Sequence, residues 1–140
     1  MAAGRHSSSE VTITLDDSGG SARTLTSYIL TMGALKITSH TQPSTAYGDS
    51  WDKILMTGVQ RGEPIQFTGF FEDTASTGPH AVFQPDSSPQ ASTRTLTVVV
   101  GNSKSFSCEG YVTDYAVIGK VGALTEFQAT YMPSGTVTWA

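Results

Sequence analysis

The chain of 140 residues has one cysteine, three histidines and little charge. With Cys108 alone, no internal disulfide and no multi-cysteine metal site can form. Charged residues make up 14% of the sequence, against roughly 25% in an average domain. No run of like charge appears, and the net charge of −4 argues against a DNA- or RNA-binding surface, which needs clustered Lys and Arg. No apolar run approaches the length of a membrane span. The start of the chain, Met1 to Ser9, lacks the apolar core of a signal peptide.

Thr, Ser and Gly take the place of the missing charge. Thr with Val, Ile, Phe and Tyr favours strands, and Gly and Ser favour turns between them. The clearest strand runs from Ser105 to Ile118. Read at period two, Phe106, Cys108, Gly110, Val112, Ala116 and Ile118 share a packed face, and Ser105, Ser107, Glu109, Tyr111, Thr113 and Tyr115 share a polar one. Cys108 is then a small buried hydrophobe rather than a nucleophile. A similar pattern runs from Ile65 to Asp73, with Gly69 at the place of Gly110. Mid-strand glycines on a packed face mark a bend, a bulge or the close approach of another backbone.

Further strands are expected at 10–15, 34–39, 93–100, 125–132 and 136–139, with a strand or helical turn at 24–32. Asp16 to Gly20, Gly101-Asn102, Lys120 to Gly122 and Pro133 to Gly135 read as turns, the second of the hairpin kind. Residues 40–50 and 86–92 read as exposed loops. Asp49 or Ser50 caps an expected helix through Trp51, Ile54, Leu55 and Met56, stopped by Gly58, with Trp51 and Leu55 one turn apart on its packing face. A second short helical segment is expected over His80 to Phe83, ending near Pro85. The fold class is therefore all-β, a sandwich or barrel with one flanking α-helix. The chain divides into a flexible N-terminal arm, 1–9, and a single β domain, 10–140, with a long loop at 40–50.

A search for chemistry finds no catalytic set. Gly48-Asp49-Ser50-Trp51 is similar to the start of one class of serine hydrolase, but the histidine partner of such enzymes follows an Asp-x-x spacing. Thr77 and Ile37 stand where that Asp would precede His80 and His40, and an unactivated serine is a poor nucleophile. A metal site of His6, His40 and His80 needs three loops to converge. No nucleotide fingerprint is present. No catalytic residue, metal or cofactor is expected.

The order of motifs resembles the major tail tube proteins of long, non-contractile-tailed bacteriophages. The resemblance covers most of the chain. It runs through the Asp16-Asp17-Ser18-Gly19 turn, Leu25-Thr26-Ser27-Tyr28-Ile29, the Thr45 to Trp51 loop and the Gly62 to Phe70 strand. It continues through Thr77-Gly78-Pro79 and Phe106 to Tyr115, then Gly119 to Gly122, Phe127 to Thr130 and Ser134 to Trp139. Many relatives carry an additional immunoglobulin-like domain after the tube domain, so this chain is expected to be the minimal module. The resemblance implies packed β-sheets flanked by a helix, six subunits per ring, and rings stacked into a tube that conducts DNA during ejection. It implies a place in the virion, after synthesis in the host cytoplasm. The implied partners are copies of itself together with tape-measure, terminator and distal tail proteins. DNA passes without specific binding, and no membrane is involved.

Two site expectations follow. Glu72, Glu109 and Glu126 are candidates for an acidic lumen, because a DNA conduit should repel rather than hold its cargo. His40, Thr41, Gln42, Pro43, Ser44, Thr45, Ala46 and Tyr47 are candidates for a ring-stacking loop, assisted by the arm. The alternatives are a β-sandwich binding or adhesion module of the carbohydrate-binding type, using Tyr111 with Tyr115 as an aromatic platform, or another tail component such as a terminator or the tube of a contractile machine.

Overall fold

A computed structural model describes residues 4, 5, 7, 10–17, 20–75, 77–83, 93–101 and 103–140. The expected arm and the 86–92 loop lie largely or wholly outside the described residues, as do His6, Asn102 and Pro85. Nine strands are described: β1 (Thr12–Asp16), β2 (Ala22–Thr24), β3 (Ile29–Met32), β4 (Ile37–Pro43), β5 (Ile54–Gly62), β6 (Ile65–Phe70), β7 (Arg94–Val100), β8 (Lys104–Ile118) and β9 (Glu126–Trp139). One short helix, α1, spans Pro79–Phe83.

Seven strands form one curled sheet in the order β2-β1-β7-β8-β9-β6-β3, with every pairing antiparallel. Its two edge strands are neighbours in sequence. Only Leu25 and a single 3₁₀ turn, Thr26–Tyr28, lie between β2 and β3. That short link draws the edges together and nearly closes the sheet. Leu25 is fully buried in the seam, its amide donates to the Ile13 carbonyl at 2.8 Å, and the Ile13 amide donates to Thr26 Oγ1 at 2.9 Å.

Alternation supplies the core. Ile13, Leu15, Leu96, Val98, Phe106, Cys108, Phe127, Ala129 and Tyr131 all point inward and are buried. The open mouth of the curl is covered by α1. Pro79 takes its first turn, where a missing amide proton costs no hydrogen bond. Val82 and Phe83 are fully buried, and the Phe83 ring lies 5.8 Å from Phe67 and 5.3 Å from Phe127. Buried Arg94 donates to the Val82 carbonyl, tying β7 to the end of this helix. Tyr131 donates to the carbonyls of Arg94 (2.6 Å) and Cys108 (3.3 Å), so its hydroxyl is satisfied inside the core. Burial pushes the Tyr131 phenol and the Cys108 thiol up from their ordinary pKa values.

Both repeat glycines sit where a neighbouring backbone crosses. A Cβ on Gly69 would stand 2.1 Å from the Tyr28 carbonyl oxygen, and one on Gly110 would stand 2.3 Å from that of Met132. Each faces an irregularity in the adjacent strand. The β3–β6 register shifts at Ile29/Thr31, and β9 inserts extra residues opposite β8 between Cys108 and Gly110.

Several expectations are corrected. The helix through Trp51 and Leu55 is absent: 54–62 is strand β5, and both side chains are exposed rather than packed. The run is as good a strand as a helix by composition, and pairing with β4 decides it. Gly58, the expected helix stop, has φ +84° and lies in a bulge of β5 where Ser39↔Gln60 gives way to Thr41↔Met56. The flanking helix of the fold is therefore the 79–83 segment. The exposed loop is shorter than 40–50, because β4 runs through Pro43. Residues 133–135 form no turn; they begin the β9 bulge, and the short strand expected at 136–139 is the end of β9. In β8 the period-two reading holds to Val112. There one extra residue shifts the register from Val112↔Tyr131 to Asp114↔Thr130, which turns Tyr115 inward and Ala116 and Ile118 outward.

Candidate assembly interface

The ribbon that forms β3–β6 does not end at the sheet. Past Met32↔Phe67, the Gly33 amide donates to the Gln66 carbonyl and the Glu63 amide donates to that of Lys36; pairing then resumes at Ile37↔Gly62 and continues to Pro43↔Ile54. Residues 29–43 and 54–69 are thus two arms of one long hairpin. Its first half is an edge of the sheet and its second half, β4–β5, leaves it. Gly62 fixes the departure point: a Cβ there would meet Val137 Cγ2 at 2.7 Å and Pro133 Cβ at 2.8 Å, on the β9 bulge.

Beyond Gly62 the β5 arm is bare, while Ile37 to Ser39 at the start of β4 are half-buried. Every residue from Ile54 to Arg61 is exposed. Ile54 and Met56 fall on one face of β5 and Leu55 on the other, so neither face is the polar side of a core strand. A lone two-stranded ribbon is marginal in water, and one with apolar residues on both faces calls for a covering surface. The expected stacking residues divide along it: His40, Thr41, Gln42 and Pro43 are in β4, and Ser44, Thr45, Ala46 and Tyr47 belong to the tip.

That tip is ordered by its own hydrogen bonds. Thr45 Oγ1 accepts from the Lys53 amide (2.8 Å), and the Ser44 amide donates to the Lys53 carbonyl (2.9 Å). Asp49 accepts from the Ala46 amide (2.8 Å) and from Lys53 Nζ (3.1 Å). Hydrogen bonds from Ala46 and then Lys53 hold the Asp49 carboxyl below its ordinary pKa. The tip presents Tyr47 and Trp51 to solvent, the latter 83% exposed.

The outward face of the seven-stranded sheet has a different character. Most of its positions are polar, among them Thr14, Thr95, Thr97, Ser107, Gln128, Thr130 and four carboxylates, Asp16, Glu109, Asp114 and Glu126; Val99, Met132, Ala116 and, at one end, Ile118 and Phe70 are its apolar members. None of the eight Lys and Arg residues occupies an outward position of these strands. Two of the three expected glutamates are on this face, Glu109 within β8 opposite the β9 bulge and Glu126 at the far end of the β8–β9 pair. Nine residues of strand separate Glu109 from the Ile118 position opposite Glu126, roughly 25–30 Å. Glu109 accepts from Thr95 Oγ1 at 2.8 Å. Glu72 is exposed in the loop after β6, outside the ladder, and accepts from Thr74 Oγ1 at 2.6 Å. Asp16 and Asp114 were missed: the first reads as a turn residue, and the second falls on the packed face until the bulge is counted.

Among the described residues, the serine and histidine singled out in the sequence do not come together. Ser50 is exposed at the hairpin tip, whereas His80 is on α1, with Nδ1 2.9 Å from the Tyr115 hydroxyl and its ring 5.1 Å from that of Phe71. Among the described residues no three His, Cys, Asp or Glu side chains converge as a metal site. The aromatic platform of the adhesion reading is also undone. Tyr111 is outward beside Met132, while Tyr115 packs inward 6.1 Å from Phe127.

Solved structures share the overall fold of this chain. A chain from the tail of an empty gene transfer agent (GTA) particle, refined helically with C6 symmetry, matches with a TM-score of 0.76 at 15% identity, over 97% of this chain and 99% of that one. A chain from the native GTA virion matches with a TM-score of 0.75 at 13% identity and the same coverage. The SPP1 tail tube matches with a TM-score of 0.67 at 13% identity, over 96% of this chain and 78% of that one. The chain has the tail-tube fold. No protein-family model matches it, and no curated protein matches it in sequence. Within the tail-tube fold, the two surfaces just described are distinct patches of one subunit. One is polar and acidic, and the other is apolar and projecting.

Proposed function

We propose that the chain is a non-enzymatic structural subunit of a phage-type tail tube in the virion, assembling into hexameric rings that stack around a channel for DNA. The observation that carries this reading is the projecting half of the β4–β5 hairpin, where every residue from Ile54 to Arg61 is exposed and apolar side chains stand on both faces of β5. The near-full-length likeness to chains from tails and tubes supports it. Self-association through a patch that is not its own complement is heterologous, and such contacts close into rings or run on as helical stacks. The outward sheet face, short of its apolar end at Phe70 and Ile118, is the lumen wall: mainly hydroxyls, amides and carboxylates, without a single cation, it gives DNA nothing to neutralise and nothing to stop at. Ser44 to Tyr47 with Trp51 make ring-to-ring contact, and tape-measure, terminator and distal tail proteins meet the ends of the stack.

Negative-stain microscopy of concentrated protein tests the reading. Rings or tubes are expected; a species that stays solitary at every concentration overturns it. The lumen assignment is tested separately in assembled tails. Glu109→Lys with Asp114→Lys and Glu126→Lys should leave tubes intact and slow DNA release, and normal release from such tails would move the lumen to another face.

A further inference from the structure

The apolar hairpin has a counterpart at the other end of the molecule. Phe70, Glu126 and Ile118 stand in register across β6, β9 and β8, where those strands end. The β8–β9 connection folds over this point as a built turn, with the Ala123 amide donating to the Lys120 carbonyl and the Phe71 amide donating to that of Thr125. Around it Phe70, Val117, Ile118, Val121 and Leu124 are all exposed, Val121 completely and Leu124 by 70%. Val121 and Leu124 on the turn, with Phe70, Val117 and Ile118 at the strand ends beside it, leave apolar surface that water does not favour.

The register places this lip and the hairpin tip at opposite poles. Phe70 ends one arm of the ribbon whose other end is the turn at 44–53, sixteen residues away from Ile54 along β5 and β6. A head-to-tail repeat needs two complementary patches that face opposite ways, and these two meet that need. Their chemistry agrees. Tyr47, Trp51, Ile54, Leu55 and Met56 on the tip require an apolar seat. Away from this lip, the outward sheet face is lined mainly by hydroxyls, amides and carboxylates and offers no such seat.

We propose that the β4–β5 tip of one copy seats on the Phe70–Ile118–Leu124 lip of the next copy along the stack. The proposal rests on the tube reading and names the surface that receives its stacking element. The occupant is a second copy of this chain, because the complementary patch is part of every copy and points the opposite way.

Full-length chains carrying Trp51→Cys are mixed with chains carrying Leu124→Cys and treated with a short flexible bis-maleimide; Cys108 is buried and stays out of the reaction. A covalent dimer that needs both variants, formed in material that microscopy shows as tubes, is the expected result. Tubes in which Trp51→Cys links only to itself, or to Leu30→Cys at the β1–β3 seam instead, overturn the proposal and leave the tube reading standing. Absence of rings and tubes from the unsubstituted chain overturns the tube reading itself. A charge pair gives a second readout should a cysteine variant not polymerise. Leu124→Glu should lower polymer yield about tenfold, as expected for burying an unpaired charge at an interface. Leu55→Lys on the same chains should recover it. Leu124→Glu chains that polymerise normally, or a deficit that Leu55→Lys does not relieve, count against the contact.

Discussion

Replacing Gly110 by alanine tests the crossing of β9 over β8. The added methyl would lie 2.3 Å from the Met132 carbonyl oxygen, 2.9 Å from Pro133 Cα and 3.0 Å from the Met132 carbonyl carbon. All three are backbone atoms, so no rotamer change relieves the clash. Relief requires β9 to retreat by about 1 Å, to ordinary carbon contact distance. That motion pulls at the Tyr131 and Pro133 neighbourhood, which is buried. Overpacking of this kind costs about 1–3 kcal/mol, and an immovable neighbour puts it near the top of that range. Alanine's smaller entropy in the unfolded chain returns about 0.5–1 kcal/mol. The net loss is about 2 kcal/mol, a sizeable share of a typical total of about 5–15. Urea unfolding of dilute, unassembled protein should show a midpoint lower by roughly 1 M, since the slope for a chain of this size is roughly 2 kcal/mol per molar. Gly119→Ala is the matched control, because a Cβ there meets nothing within 4 Å. Equal midpoints for the two variants would refute the crossing.

Phe83→Ala should destabilise by about 3–5 kcal/mol in the same assay, because the fully buried ring fills the space between Phe67 and Phe127. Stability should fall on the alkaline side. Burial raises the folded pKa values of Cys108, Tyr115 and Tyr131 above their unfolded values of 9.0, 10.0 and 10.0. Their contribution is therefore complete below about pH 9 and is lost as pH rises through the raised values; a urea midpoint that stays flat from pH 8 to 11 would contradict this. Asp49→Ala should speed hydrogen exchange at the Ala46 and Lys53 amides and leave the exchange of core β8 amides unchanged. Acidification should act alike: the lowered Asp49 pKa means that its contribution is present above the ordinary carboxylate value of 3.8 and is lost as pH falls through the lowered one. Trp51→Ala, exposed in the free subunit, should leave the unfolding free energy within about 0.5 kcal/mol of the parent and reduce polymer yield in sedimentation.

What the sequence disclosed follows the range of the physics involved. Period-two alternation is a local signal, and it located β1, β7, the first half of β8 and most of β9. The glycines at 69 and 110 were readable as sites of backbone approach, because a missing side chain inside an apolar row has few other uses. Bulges broke the reading. The extra residue after Val112 reverses every later side chain in β8, and nothing in Thr113-Asp114-Tyr115 announces it. That single step removed the Tyr111–Tyr115 platform and brought Asp114 to the acidic face. Residues 51–58 have the local marks of a helix, with Trp51 and Leu55 four apart and Gly58 following. The deciding contact, pairing with β4, joins residues whose relation depends on the tip between them. The partnership of β1 with β7, across more than eighty residues, carries no local mark at all.

The long ribbon from Ile29 to Gly69 closes around a ten-residue turn, whereas β1 finds β7 only after most of the chain exists. Loop-closure entropy ranks these events: short-range zipping is cheap and rapid, and distant pairing waits. The projecting arm, like the other local hairpins, therefore acquires its shape before β1 and β7 pair to complete the barrel that will hold it. A nascent subunit thus shows its adhesive side before it has a body, which sets a premium on fast completion and gives premature clumping a definite molecular origin.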